Sequence, residues 1–198
     1  MMYKKNPQSG FSLVETLVSI TILLIVITGP MAISSNAAKS SSFSAEQVTA
    51  FFLAQEGAEI VQKVRDDLII ESFNPPPGTE WADFTDDSLN AVFDWCYEGD
   101  GCGVEMNTDA AGTVDDAKDC NGALDCKLYY DSGDERARYT HESAGNASTP
   151  YTRVIYMEET VAGVEVKVTS RVYWQTGSQR QVQEVEVVTY LFNVYDRP

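Results

Sequence analysis

The stretch Gly10-Phe11-Ser12-Leu13-Val14-Glu15 decides the fold of this chain. A short basic leader, residues 1–10, ends within it, and a predominantly apolar run, residues 11–33, begins there. Glu15 stands near the start of that run, where a charged side chain in a bilayer costs about 3 kcal/mol even on lenient insertion scales. We therefore expect another group to compensate the Glu15 carboxylate.

Residues 11–33 are long and apolar enough to form a membrane-spanning helix. Lys4 and Lys5 precede the run, and positive charge before an apolar segment keeps the N terminus in the cytoplasm. The run is longer than the core of an ordinary secretory signal peptide, and small residues match a cleavage site after it only weakly. The sequence thus predicts a single-pass membrane protein with an extracytoplasmic C-terminal domain.

The rest of the 198-residue chain is polar and acidic, and the net charge of the whole chain is −16. A hydrophobic content of 43% is sufficient for one globular domain besides the anchor. Because an acidic surface repels phosphate groups, we expect no nucleic-acid binding by the isolated acidic domain.

Residues 34–72 have the pattern of an amphipathic helix that continues the membrane segment. Proline removes a helical hydrogen bond and clashes with the preceding turn, so we expect the helix to bend or melt locally at Gly29-Pro30. The sequence Pro75-Pro76-Pro77-Gly78 predicts that the helix ends before it. The predicted buried face of the amphipathic part consists of Phe51, Ala54, Ala58, Val61, Val64 and Leu68.

Residues 73–198 are predicted to form the extracytoplasmic globular head. From Tyr151 the pattern changes to period two, which predicts three antiparallel strands joined by hairpins within residues 151–195. Alternation in the middle strand places Val164, Val166, Val168, Val172 and Trp174 on a buried face and Glu165, Lys167, Thr169 and Arg171 on a wet one. The three predicted strands are Val154–Thr160, Val164–Gln175 and Gln181–Tyr195.

Four cysteines lie in an acidic, glycine-containing loop region, residues 96–149. Outside the cytoplasm they are expected to form two disulfides, and the local pairs Cys96–Cys102 and Cys120–Cys126 are slightly favoured over the two alternative connectivities. Zinc is disfavoured because five residues separate the members of each pair and His141 is the single histidine. The fold class is therefore α+β: a long N-terminal helix packed on a C-terminal antiparallel sheet of at least three strands, with a disulfide-stapled loop region.

The acidic side chains of the loop region are oxygen ligands of the kind that calcium prefers. The spacing of a calcium-binding loop, D-x-[DN]-x-[DN]-G with a distal glutamate, is missing, so a solvated acidic loop is favoured. We assign no metal ligands and expect no cofactor. The residues considered are Asp109, Asp115, Asp116, Asp119, Asp125 and Asp131.

The sequence GFSLVETLVSITILL from Gly10 resembles the precursor N terminus of type IV pilins and type II secretion pseudopilins. The shared features are a glycine, a phenylalanine, a glutamate fifth after the cut and a following membrane helix. The resemblance implies that a prepilin peptidase cuts between Gly10 and Phe11 and that the Phe11 amine is N-methylated. It also implies a partner for Glu15, which pairs with the Phe11 ammonium of a neighbouring subunit during filament assembly.

The sequence AFFLAQEGAEIVQKVRDDL, residues 50–68, resembles the corresponding helix of PilV-like and type II I-type minor pilins. This resemblance implies a structural subunit of a pilus or a secretion pseudopilus, held in the inner membrane before assembly. The implied partners are other pilin or pseudopilin subunits, the prepilin peptidase, the inner-membrane assembly platform, and the lipid bilayer through residues 11–33.

Other classes of function are less well supported by the residues. An enzyme with a Ser-His-Asp site would have to use His141, which has no nucleophile elbow near it, and no phosphate-binding glycine motif is present. The alternative to a filament subunit is a single-pass, membrane-anchored extracytoplasmic binding protein or adhesin. The choice between pilus and secretion pseudopilus stays open.

Overall fold

The computed structural model describes residues 10, 12–71, 80–85, 92–97, 99–106, 117–121, 125–133, 137–175 and 181–194. The chain divides into two compact units, Met1–Glu46 and Gln47–Pro198. The long helix α1, Leu13–Glu71, contributes residues to both units.

In the first unit, α1 is built from leucine, isoleucine and valine with threonine at intervals. The hydroxyls of Thr21 and Thr28 each donate a hydrogen bond of 2.8 Å to the carbonyl four residues earlier, so neither hydroxyl needs water. The helix continues without interruption through Pro30, so it does not melt locally at Gly29-Pro30, and a bend there stays a prediction. Membrane-type helices tolerate an internal proline because neighbouring groups satisfy the freed backbone carbonyl.

In the second unit, one face of α1 is buried, as the three- and four-residue spacing predicts. Phe51 departs from the prediction, since 46% of its surface is exposed. It lies at the margin of the buried face and borders a groove beside the last strand of the sheet. The buried residues of this face are Ala50, Leu53, Ala54, Ala58, Ile60, Val61 and Val64.

A short helix and a 3-10 turn follow α1. They are α2, Glu80–Thr85, and the turn Asp94–Tyr97. Phe84 and Phe93 pack edge to face with their ring centroids 5.7 Å apart, and both are buried in the core that α1 forms with the sheet. Edge-to-face contact is the favoured geometry for a pair of aromatic rings.

The sheet has seven antiparallel strands, which confirms the predicted α+β fold class with a sheet of at least three strands. The three predicted hairpin strands correspond to the last three of these, although β5 begins earlier than predicted. The region 96–149 also contains four short strands, which its polar composition did not predict. The strands are β1 Cys102–Gly103, β2 Lys118–Asp119, β3 Lys127–Asp131, β4 Arg138–Thr140, β5 Ala147–Val161, β6 Glu165–Trp174 and β7 Gln183–Phe192.

Strand β5 is the centre of the sheet, because it pairs with β1, β3 and β6. Strand β2 extends the sheet from β1, β4 extends it from β3, and β7 pairs with β6. The face of β5 and β6 that packs on α1 carries Ile155, Val168 and Val172, all fully buried.

Two residues of the middle strand differ from their predicted environments. Val164 is 42% exposed because β6 begins only at Glu165, which leaves Val164 in the hairpin turn. Thr169 was predicted on the wet face but is buried. Its cross-strand neighbours Tyr156 and Val188 are both larger than threonine and shield it from solvent.

Candidate functional site

The N-terminal motif begins in an open backbone segment. Gly10 is exposed, and a Cβ built on it would meet no atom within 4 Å. Helix α1 then starts at Leu13, and its first turn is closed by a hydrogen bond of 3.1 Å from the Thr16 N–H to the Ser12 carbonyl. Phe11 lies outside the described residues.

Glu15 lies in the first turn of α1 and is exposed. The first turn of a helix presents unpaired N–H groups and the positive end of the helix dipole, so a carboxylate is favoured there. Its neighbours along the helix include the apolar Val14, Leu17 and Val18, each more than half exposed, besides the uncharged Thr16 and Ser19. The carboxylate is thus a single charge on an otherwise apolar surface.

The apolar surface of α1 extends from Leu13 to Ile33, where every large apolar side chain is more than half exposed. Exposed apolar surface of this extent marks a site covered by lipid or by another protein. Within the described part of the chain, α1 is the one helix long and apolar enough to cross a membrane. The motif at Gly10 therefore leads directly into a segment that needs an apolar environment.

In the second unit, the buried guanidinium of Arg153 joins α1 to the sheet. Arg153 lies in β5 and is 1% exposed. Its Nη1 donates hydrogen bonds to the Glu56 carboxylate at 2.7 Å and to the Leu53 carbonyl at 3.2 Å, and its Nη2 donates to the Val104 carbonyl at 2.8 Å. Because a buried charge is tolerated when it is paired and hydrogen-bonded, these contacts fix α1 against β5.

Gly57 lies where α1 approaches the sheet most tightly. A Cβ at this position would lie 2.7 Å from Ser170 Oγ, 2.8 Å from Ile155 Cδ1 and 3.0 Å from Arg153 Cδ. Glu56 and Gly57 therefore have a structural role. Glu56 is the ion-pair partner of Arg153, and Gly57, which has no side chain, leaves room for the side chains of β5 and β6 to contact α1.

The four cysteines form two disulfides, Cys96–Cys102 and Cys120–Cys126, so the predicted disulfide-stapled loop region is confirmed. The pairing of β1 with β2 and a hydrogen bond of 3.2 Å from the Cys120 N–H to the Gly101 carbonyl bring the two bridges close to each other. All four cysteines are buried, so the bridges are part of the core beside β5.

His141 is buried beside the second disulfide. A Cβ built on Gly103 would lie 2.9 Å from His141 Nε2 and 3.0 Å from Cys126 Sγ, so both side chains pack on Gly103. The backbone N–H of His141 donates a hydrogen bond to a Glu105 carboxylate oxygen at 2.7 Å, and the ring atom Nδ1 lies 3.3 Å from the Lys127 carbonyl oxygen. Nε2 has no hydrogen-bond partner within the described part of the chain.

The surroundings of His141 favour its neutral form. Burial lowers its pKa to about 4, and the nearby charge of Arg153 acts in the same direction. The carboxylate of Glu105 opposes the shift, and Lys118 contributes weakly to it. At neutral pH His141 is therefore an uncharged core residue. Among the described residues, no serine is hydrogen-bonded to its ring.

The predicted site residues belong to both units of the chain. Gly10 and Glu15 belong to the first unit, whereas the four cysteines belong to the second. Among the described residues, no group of three or more histidine, cysteine, aspartate or glutamate side chains is arranged to hold a metal ion. Three of the acidic residues considered for calcium lie outside the described residues: Asp109, Asp115 and Asp116.

Sequence reasoning missed the contact between Arg153 and Glu56. The available signal was the position of Arg153 between Tyr151 and Ile155, where the period-two pattern places it on the buried face of β5. An arginine at a buried position needs a carboxylate partner, and the amphipathic helix offered several.

Residues 5–29 match the prokaryotic N-terminal methylation motif. This match includes Gly10, Phe11 and Glu15, and it supports the type IV pilin and pseudopilin family. No curated protein and no solved structure matches the chain.

Proposed function

We propose that this chain is a minor pilin or pseudopilin, a structural subunit that is assembled into a type IV pilus or a type II secretion pseudopilus. One observation carries the proposal: the methylation motif at residues 5–29 coincides with an exposed apolar helix whose first turn contains Glu15. A filament subunit needs such a helix twice, first as a membrane anchor and then as the packing surface of the filament core.

The first step of this function is processing. The prepilin peptidase cuts between Gly10 and Phe11 on the cytoplasmic side of the inner membrane, and the new Phe11 amine is methylated. The open backbone at Gly10 supports this step, because a protease must draw an extended segment into its active site. The processed chain keeps residues 11–33 as its anchor.

The second step is assembly, in which Glu15 pairs with the Phe11 ammonium of a neighbouring subunit. An ion pair in an apolar environment depends strongly on distance, and removing one partner of such a pair costs about 3–5 kcal/mol. A misplaced subunit leaves a carboxylate without a partner among apolar side chains. The pairing of Glu15 therefore selects the register in which subunits pack.

The head, residues 73–198, together with the amphipathic continuation 34–72 of the helix, forms the outward-facing part of the subunit. The buried contacts of Arg153 and the two disulfides support a stable head outside the cytoplasm. The partners are other pilin or pseudopilin subunits and the inner-membrane assembly platform. The function is structural, and no catalytic step is assigned to this chain.

The test of this proposal is the substitution Glu15→Gln in the full chain, expressed with the other subunits of its filament system. We expect normal cleavage and normal amounts in the membrane, but about one tenth or less of the usual amount of subunit in sheared filament fractions, because the glutamine cannot neutralise the Phe11 ammonium. Glu158→Gln is the control, since it removes an exposed carboxylate of the head, away from the first turn of α1. Equal incorporation of Glu15→Gln and wild type would refute the assembly role of Glu15.

A further inference from the structure

Strand β7 forms the one long edge of the sheet within the described residues. It pairs with β6 over ten successive residues without a register shift, and no described strand pairs with its other side. The strands that end the sheet elsewhere are short, with two residues in β2 and three in β4. Natural edge strands are usually protected by charged side chains, proline or a bulge. Strand β7 has no proline, lysine or bulge, and its two charged side chains, Glu184 and Glu186, are paired with Arg171.

The backbone of β7 presents unpaired groups in a defined register. The Asn193 N–H donates a hydrogen bond of 2.8 Å to the Val164 carbonyl on the β6 side. Because backbone groups alternate in direction along an antiparallel strand, Leu191 and Thr189 also point toward β6. The N–H and C=O groups that point away from β6 belong to Glu184, Glu186, Val188 and Tyr190.

One further contact supports this register and marks the end of the free edge. The Phe192 carbonyl points away from β6 and accepts a hydrogen bond of 3.3 Å from Arg65 Nη1 on α1. The free edge therefore extends from Glu184 to Tyr190, a length that matches about seven residues of an added strand.

A groove of about 520 Å³ lies between this edge and α1. Its apolar lining includes Phe51 and Ala58 on α1 and Val187 on β7. The outer face of β7 adds Val188, Tyr190 and Phe192, each between 39% and 49% exposed. A strand added beside β7 would cover apolar side chains on both faces of the sheet.

The charges around the edge are predominantly negative. Glu59 borders the groove on α1, and Glu184 and Glu186, two residues apart, project from the outer face of β7. Arg171 binds Glu186 at 2.7 Å and Glu184 at 3.6 Å, whereas Glu59 has no described cation within salt-bridge distance. The net charge of −16 adds a long-range attraction for basic partners and a repulsion between copies of the chain.

We propose that the free edge of β7 and the adjoining groove form a docking site for an extended segment of another protein, with alternating apolar and basic side chains. The segment adds to the sheet as a strand beyond β7 and bonds to the backbone of Glu184, Glu186, Val188 and Tyr190. Its basic side chains enter the groove near Glu59, and its apolar side chains, which point to the opposite face, pack on Val188 and Tyr190. This mode of recognition takes affinity from the backbone and specificity from alternate side chains.

The test measures binding of a capped, fluorescently labelled peptide of alternating valine and lysine, about seven residues long, to the full chain in nanodiscs of zwitterionic lipid. The key variant is Val188→Pro, which removes an outward-pointing N–H without removing a hydrogen bond to β6. Val182→Pro is the matched control, because it places proline at an exposed valine that precedes the strand. We expect Val188→Pro to weaken binding of the peptide about tenfold, because the peptide loses the hydrogen bond that it accepts from the N–H of residue 188. Val182→Pro should leave the affinity unchanged.

Two further measurements separate strand addition from simple charge attraction. A peptide of the same sequence with N-methylated backbone amides keeps its charge, and we expect it to bind the wild type far more weakly. Glu59→Gln should weaken binding of the unmodified peptide and reduce its dependence on salt. Equal affinity of the two peptides, equal affinity of wild type and Val188→Pro, or self-association through β7 in place of peptide binding would each overturn the proposal.

Discussion

At the scale of single residues, burial decides the charge of His141. The folded pKa is lowered to about 4 from 6.5, so between these values the unfolded chain binds a proton that the folded chain does not. The free energy of unfolding is therefore unaffected by titration of this histidine above about pH 6.5, and it decreases as the pH falls from 6.5 toward 4. The shift corresponds to about 3 kcal/mol of free energy of unfolding.

The prediction is tested by chemical unfolding of the full chain in detergent micelles across this pH range. His141 is the single histidine of the chain, so His141→Gln removes the only group that titrates normally near pH 6.5 while leaving the carboxylates in place. We expect the wild type to lose about 3 kcal/mol more than His141→Gln on acidification. Parallel pH profiles for the two chains would mean that the histidine is accessible to protons in the folded state.

Residues differ in how much of their environment the sequence reveals. The position of Glu15 in the first turn of an apolar helix follows directly from its neighbours in the chain. The partner of Arg153 did not follow, because Glu56 lies 97 residues away and several carboxylates of α1 satisfy the same helical spacing. The burial of His141 depends on β1 and β3, neither of which has a sequence pattern long enough to predict.

At the scale of elements, the contact of α1 with β5 and β6 depends on Gly57. Alanine at this position must displace Ser170 Oγ and Ile155 Cδ1, which are both fully buried and closely packed. Overpacking of a core costs about 1–3 kcal/mol, and the higher helix propensity of alanine recovers up to about 1 kcal/mol. We expect Gly57→Ala to lower the free energy of unfolding of the head by about 1–2 kcal/mol.

The matched control for this substitution is Gly29→Ala, since a Cβ at Gly29 of the same helix meets no atom within 4 Å. Thermal unfolding of the head, followed by tryptophan fluorescence in detergent micelles, compares the two variants with the wild type. Gly29→Ala should leave the transition of the head unchanged. An equally small effect of Gly57→Ala would show that α1 and the sheet are separated by more space than these distances indicate.

The elements themselves were predictable where a pattern extends over several residues. Strands β5 to β7 alternate over ten or more residues each, and their hairpins were predicted within a few residues. Strands β1 and β2 have two residues each and are held by β5 and the disulfides, so no local pattern marks them. The burial of Thr169 could not be predicted from the local pattern either, because it comes from the neighbouring strands.

At the scale of the whole molecule, the N-terminal motif, the membrane topology and the disulfides depend on one another. The basic leader before the apolar run predicts a head outside the cytoplasm, where disulfides persist. The motif and the apolar helix fit a membrane-anchored protein. In the proposed function, processing at Gly10 converts the anchor into a segment that neighbouring subunits pack against.

The most direct test of this function is the N terminus of the chain isolated from membranes of cells that contain a prepilin peptidase, determined by mass spectrometry of its first peptide. We expect the chain to begin at Phe11 with one methyl group on its amine, and to begin at the leader in otherwise identical cells without the peptidase. A chain that keeps Met1 in the presence of the peptidase, or that is cut after the apolar run near Ala37, would contradict the assignment as a pilin-like subunit.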